Sequence, residues 1–202
     1  MVWDEKHKMI FLHIPKTGGT SIEKSLNLLN IYNGYGINKK NKAMQHFDSH
    51  EYKKHLGKEK YNQYYKFTII RNPYEKVISD YFWLKNIAHL ENDDFQNKSF
   101  DQYLSYCNYI VTNRLYKLSI YHDHFKPQHK FIYNKNNKLL INKIFRFEKF
   151  EHIIKFIKTR YNTIVSHDNV NESKQKIILN EKQKNKIYNI YKNDFILLKY
   201  KK

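Results

Sequence analysis

Two groups of residues in this chain have the types and spacing to hold phosphate, and a histidine-rich segment lies between them. The first group is Pro15-Lys16-Thr17-Gly18-Gly19-Thr20-Ser21. It offers a lysine ammonium, two glycines that let the backbone turn sharply and approach a ligand, and hydroxyl residues suited to cap a helix. The second is Arg71 with Ser79 eight residues on. A planar guanidinium suits bidentate phosphate binding, and a hydroxyl adds a directional donor. Between the two, Gln45 to Leu56 reads QHFDSHEYKKHL and holds His46, Asp48, His50, Glu51 and His55, the densest group of candidate proton acceptors. A neutral imidazole is suited to take a proton near pH 7.

The surrounding pattern predicts the elements that position these residues. Met9 to Ile14 is a short apolar run with one histidine in it, the pattern of a buried strand, and Pro15 ends its pairing. Thr20 or Ser21 is a candidate N-cap, with Ile22, Leu26 and Leu29 at helical spacing behind it. Strand, glycine turn and helix follow in that order. The free N–H groups and positive dipole end of the helix would add to the Lys16 charge to form a phosphate cradle. Lys66 to Ile70 is a second strand candidate that runs into Arg71. Asn72 is a natural N-cap, Pro73 suits the first helical position, and Val77, Ile78, Tyr81 and Phe82 form an apolar stripe. In the histidine-rich segment Phe47, Tyr52 and Leu56 give an approximate helical face, and Gly57 is placed to end it.

Further along, Phe100 to Leu118 reads as one or two helices. The stretch from Pro127 through the turn Asn134 to Asn137 and on to Ile141 predicts a β-hairpin-type connection. Lys143 to Phe147 is a third strand candidate, Phe150 to Ile157 an amphipathic helix and Glu181 to Tyr191 a final helix. Phe195 to Leu198 either packs back or forms a short extended end. Ile31 to Ala43, His89 to Asn97 and Ser166 to Ser173 read as loops.

The P-loop of nucleotide kinases needs a glycine four residues before a Gly-Lys-Ser/Thr ending. Here the lysine precedes the glycines and no earlier glycine exists. The order Pro-Lys-Thr-Gly-Gly-Thr-Ser instead resembles the 5′-phosphosulfate loop of sulfotransferases that use 3′-phosphoadenosine-5′-phosphosulfate (PAPS). HIPKTGGTSIE in particular is similar to the carbohydrate sulfotransferases of the family that includes the heparan 2-O-sulfotransferases. Arg71-Asn72-Pro73 with Ser79 resembles the 3′-phosphate motif of the same enzymes. His46 aligns best with the family's general-base histidine, and His50, one turn on, is the alternative. Phe145-Arg146-Phe147-Glu148 resembles a Gly-Arg-Phe-Glu string, and Gln128 to Ile132 resembles a Gln-x-x-Tyr-Leu stretch. Asn171 and Ser173 match an Asn-x-Ser in a segment that closes over the nucleotide, which makes Lys174 the tail residue best placed to touch a phosphate.

The resemblance implies a three-layer α/β/α domain spanning the chain, with a mainly parallel sheet and a P-loop-NTPase-like sulfotransferase fold. It implies Lys16 as the cation at the leaving group and Thr17 to Ser21 as backbone donors to the 5′-phosphate. Arg71 and Ser79 would hold the 3′-phosphate and His46 would be the base. PAPS would be the donor and adenosine 3′,5′-bisphosphate the product. The acceptor would be a hydroxyl on a saccharide or polysaccharide, with small alcohols and phenols also open. No metal is required, and the sequence offers no convincing metal cluster.

Composition sets outer bounds. The 202 residues suit one α/β domain, and 41% hydrophobic with 16% aromatic content argues for a folded protein. A formal charge of +18 predicts attraction to anionic partners. Lysines are spread along the chain, whereas the arginines are only Arg71, Arg114, Arg146 and Arg160, so each arginine is the more informative residue. A basic nucleic-acid or polyanion-binding protein would explain the charge, but not paired motifs at two strand-helix turns. A nucleotide kinase would share the core. Cys107 is the single cysteine, so no intrachain disulfide can form. No apolar run approaches membrane-spanning length and no signal sequence is evident, so the expectation is a cytoplasmic protein without a transmembrane anchor.

Overall fold

The computed structural model describes residues 3–28, 44–87, 97–117, 122–165 and 177–202. Three of the expected loops, together with Lys174, Asn171 and Ser173, lie outside the described residues but for Asn97. In chain order the elements are β1 (Trp3–Asp4), β2 (Met9–Leu12), α1 (Gly19–Ser25), α2 (Ser49–Leu56), α3 (Lys58–Gln63), β3 (Tyr65–Ile70) and α4 (Pro73–Ile87). They continue with α5 (Phe100–Thr112), α6 (His129–Ile132), β4 (Lys143–Arg146), α7 (Phe150–Tyr161), α8 (Glu181–Ile190) and α9 (Lys192–Leu197). The chain forms two compact units, Met1–Arg71 with Gln128–Val170, and Asn72–Pro127 with Asn171–Lys202.

The first unit carries a four-stranded sheet in the order β1-β2-β3-β4. β1 runs antiparallel to β2, and β2, β3 and β4 are parallel. All three predicted strands are present, and the class is α/β with a mostly parallel sheet flanked by helices, as the sequence predicts. Register places Phe11 beside Phe67 and Ile69 beside Phe145. Met9, Phe11, Phe67, Ile69 and Phe145 share one core with Ile153 and Ile157 of α7. The alternate residues Ile10, Leu12 and Thr68 are fully buried as well. Burial on both faces is why these strands read as continuous apolar runs rather than as alternation. Thr68 Oγ1 satisfies itself on the Leu12 carbonyl at 2.6 Å. The buried Lys66 ammonium donates to the carbonyls of Tyr61 at 2.9 Å and Tyr64 at 2.5 Å, and its burial pulls its pKa down.

The second unit is helical and is built around Tyr81, Tyr103, Cys107, Phe125, Ile187 and Phe195. Asn72 Oδ1 accepts from the Tyr74 amide at 2.9 Å and α4 starts at Pro73, both as the sequence predicts. Inside this unit Lys76 Nζ donates to Asp80 Oδ2 at 2.5 Å and to the His124 carbonyl at 2.7 Å. His124 Nδ1 lies 2.9 Å from Asp80 Oδ1, and the Trp83 ring stacks on the His124 ring at 4.1 Å. Burial works to raise the Asp80 carboxyl, but the Lys76 charge and His124 outweigh it and hold the group below its usual range.

Several expectations are corrected. The first helix ends at Ser25, so Leu26 is its C-cap rather than part of a longer apolar face. The stretch from Gln128 is not a strand: His129–Ile132 is one helical turn, and the hairpin is reduced to a single antiparallel bridge between Tyr133 and Leu139. At the chain end the first of the two expected alternatives holds: it packs back, with α9 helical, Phe195 in the aromatic core and Leu198 buried.

Candidate active site

The turn after β2 is built from backbone conformations that side chains resist. Lys16 has φ +64° and Gly18 has φ +81°, both left-handed. Thr17 is fully buried and its Oγ1 donates back to the Ile14 carbonyl at 2.8 Å, closing the turn. α1 then begins at Gly19 with Gly18 at the cap position and no side-chain cap. Thr20 and Ser21 are therefore helical residues, not caps as the sequence suggests. The first N–H groups of a helix have no intrahelical acceptor, so this end presents donors to an anion.

The glycines have a further reason to be there. A Cβ on Gly18 would sit 2.9 Å from Phe150 Cε2 and 3.0 Å from Phe147 Cε2. A Cβ on Gly19 would overlap the His13 ring. On the Cβ side of both glycines the space is filled by the chain's own rings.

Arg71, directly after β3, is tied to this turn. Its Nη1 donates to the Lys16 carbonyl oxygen at 3.2 Å, and its guanidinium stacks over the Phe147 ring at 4.3 Å. The Arg71 backbone is gripped on both sides by the buried Gln128 side chain. The Arg71 amide donates to Gln128 Oε1 at 2.9 Å, and Gln128 Nε2 donates to the Arg71 carbonyl at 2.7 Å. Parallel neighbours β2 and β3 bring Lys16 and Arg71 together because both residues follow strand C-termini, the end at which open α/β sheets bind ligands.

His46 closes a short 3-10 turn, Met44–His46, just before α2. It does not open that helix. Asp48 caps it instead, accepting from the amides of His50 and Glu51 at 2.9 Å while Glu51 returns a bond to the Asp48 amide. His46 is buried, and His50 is exposed on the first turn. The His46 ring meets the His13 ring edge to face, with centroids 4.9 Å apart. His13 Nδ1 in turn lies 3.0 Å from Glu23 Oε1, out of line for a well-formed hydrogen bond. Glu23 Oε2 accepts from Gln45 Nε2 at 2.6 Å. Glu23 is fully buried, and its charge joins burial in pushing the neighbouring Tyr52 hydroxyl pKa well up.

Among the expected site residues, Lys16 to Ser21, Arg71 and His46 all lie in the first unit. Ser79 sits half-buried on α4 of the second unit, next to Asp80, and Lys174 lies outside the described residues. His13, Glu23, Gln45 and Gln128 are contacts that the sequence reading does not assign to the site. The one signal for His13 is a polar ring inside an otherwise apolar strand run.

No curated protein and no solved structure matches the chain. A family model described as the sulfotransferase family matches residues 1–201, nearly the whole length. The glycine turn after β2 and the arginine after β3 both lie within the matched residues, and the chain belongs to the sulfotransferase family.

Proposed function

We propose that this protein moves the sulfuryl group of PAPS to a hydroxyl of a saccharide acceptor. The reading rests on family membership and on one observation above the others: the Arg71 guanidinium is bonded to the backbone of Lys16. That bond joins the residue suited to a 3′-phosphate to the turn suited to a 5′-phosphosulfate.

In this reading the Lys16 ammonium and the amides of Thr17, Gly18, Gly19, Thr20 and Ser21 hold the 5′-phosphate. Arg71 and Ser79 hold the 3′-phosphate, and Lys174 adds a cation from the tail. The acceptor oxygen attacks sulfur in line. The bond from sulfur to the bridging oxygen breaks, its electron pair stays on the 5′-phosphate, and Lys16 stabilises that growing charge. His46 takes the acceptor proton. The net charge of +18 suits an anionic saccharide chain as acceptor.

Calorimetric titration with adenosine 3′,5′-bisphosphate, 5′-AMP and ATP tests this. The bisphosphate should bind most tightly, and Arg71→Ala should weaken it by about 10- to 100-fold, as expected for a charge-assisted bond of roughly 1.5–3 kcal/mol. ATP binding with indifference to the 3′-phosphate would favour a kinase, and no nucleotide binding would favour a basic polyanion-binding protein.

A further inference from the structure

Glu23 is a buried carboxylate with no role in the chemistry above, yet it reaches His46 by two routes. The first route runs through side chains: Glu23 Oε1 lies 3.0 Å from His13 Nδ1, and the His13 ring stands edge to face against the His46 ring at 4.9 Å. The second runs through the backbone: Glu23 Oε2 accepts from Gln45 Nε2 at 2.6 Å, and Gln45 precedes His46 in the same 3-10 turn. Glu23 itself sits in α1, the helix that begins at the glycine turn, and the far side of the His13 ring fills the space over Gly19. One carboxylate therefore spans the phosphate turn and the segment that carries His46.

A buried carboxylate is expensive unless charge and hydrogen bonds compensate it. An apolar residue at this point of α1 would pack without that demand. What a carboxylate adds is a second contact: one oxygen accepts a hydrogen bond from Gln45 while the other lies against the His13 ring.

We infer that Glu23 is a positioning residue: with His13 and Gln45 it fixes where the His46 imidazole stands relative to the Lys16 turn. The inference rests on the reading of His46 as the base, and deepens it. The acceptor proton and the leaving-group charge develop on opposite sides of the transferred group. A carboxylate bridging the two protein segments sets their separation, and displacements of about 1 Å in such geometry carry roughly 100-fold rate effects.

The test is side-chain nitrogen NMR on the full chain labelled with nitrogen-15 histidine, with signals assigned by His46→Ala and His13→Ala. Glu23→Gln keeps the shape and removes the charge. It should move the His46 ring-nitrogen shifts beyond their line width, while those of the exposed His50 and His152 stay in place. Movement of His13 alone, with His46 unchanged, would overturn the inference. Should Glu23→Gln lose its cooperative melt, Gln45→Met cuts only the backbone route and should still shift His46, and unchanged His46 signals there would equally overturn it. Failure of the transferase reading shows separately, as absent binding of adenosine 3′,5′-bisphosphate, while the nitrogen shifts still report the coupling.

Discussion

Arg71 Nη1 and the Lys16 carbonyl oxygen are 3.2 Å apart, so the residue after β3 and the turn after β2 are held as one piece. The guanidinium is also stacked on Phe147 at 4.3 Å, which leaves its plane defined on one face by an aromatic ring. A lysine can copy the charge but neither the fork nor the stack. Arg71→Lys should therefore lose most of the bisphosphate affinity that Arg71→Ala loses, within about threefold of it. Calorimetry on both variants checks this, and wild-type affinity in Arg71→Lys would show that charge alone suffices.

Lys16 and His46 should separate binding from transfer. His46→Ala is expected to lower turnover by about 100- to 10,000-fold, the usual contribution of a general base, with bisphosphate affinity preserved. Lys16→Ala should lower both. Single-turnover transfer from labelled PAPS, read beside the titration, makes the comparison. Full transfer by His46→Ala would move the base assignment to His50.

Gly19→Ala places a methyl group into the His13 ring, which is buried and in contact with Glu23 and His46. Overpacking of this kind costs about 1–3 kcal/mol. Urea unfolding should show that loss, and His13→Ala in the same background should recover part of it by opening the space. A Gly19→Ala variant as stable as wild type would mean that the ring and the turn move freely.

The Lys76–Asp80–His124 cluster predicts an acid-sensitive stability. Asp80 has a folded pKa below its usual value, so its contribution is fully present above the unfolded value of about 3.9 and fades as pH falls through the folded one. At pH 7, Asp80→Asn strands the buried Lys76 ammonium and should cost about 3–5 kcal/mol. The gap between wild type and variant should then narrow from pH 5 downward in urea titrations. A gap that stays constant to pH 2.5 would show that Asp80 acts by packing rather than by charge.

Much of the site is legible in the chain because its parts are local. The apolar run Met9 to Leu12, the turn residues Pro15 to Gly19 and the Arg71-Asn72-Pro73 junction each declare strand end, turn and helix start by residue type over a few positions. Backbone restrictions of proline and glycine act between neighbours, so a sequence carries them openly. The strands, the α/β class and the segments bearing Lys16, Arg71 and His46 follow from such signals.

What tertiary structure alone decides is which neighbours fill the space around those residues. That a side chain at Gly19 would meet the His13 ring, that Gln128 clamps the Arg71 backbone 57 residues away, and that Glu23 lies against His13 while it accepts from Gln45 are all facts of packing, not of neighbouring residue types. The same holds for His129–Ile132, where one helical turn replaces the expected strand, since a four-residue apolar pattern fits either form until packing chooses. Side-chain burial and pairing across a sheet are collective, and their energies exceed the small local preferences that a single sequence displays.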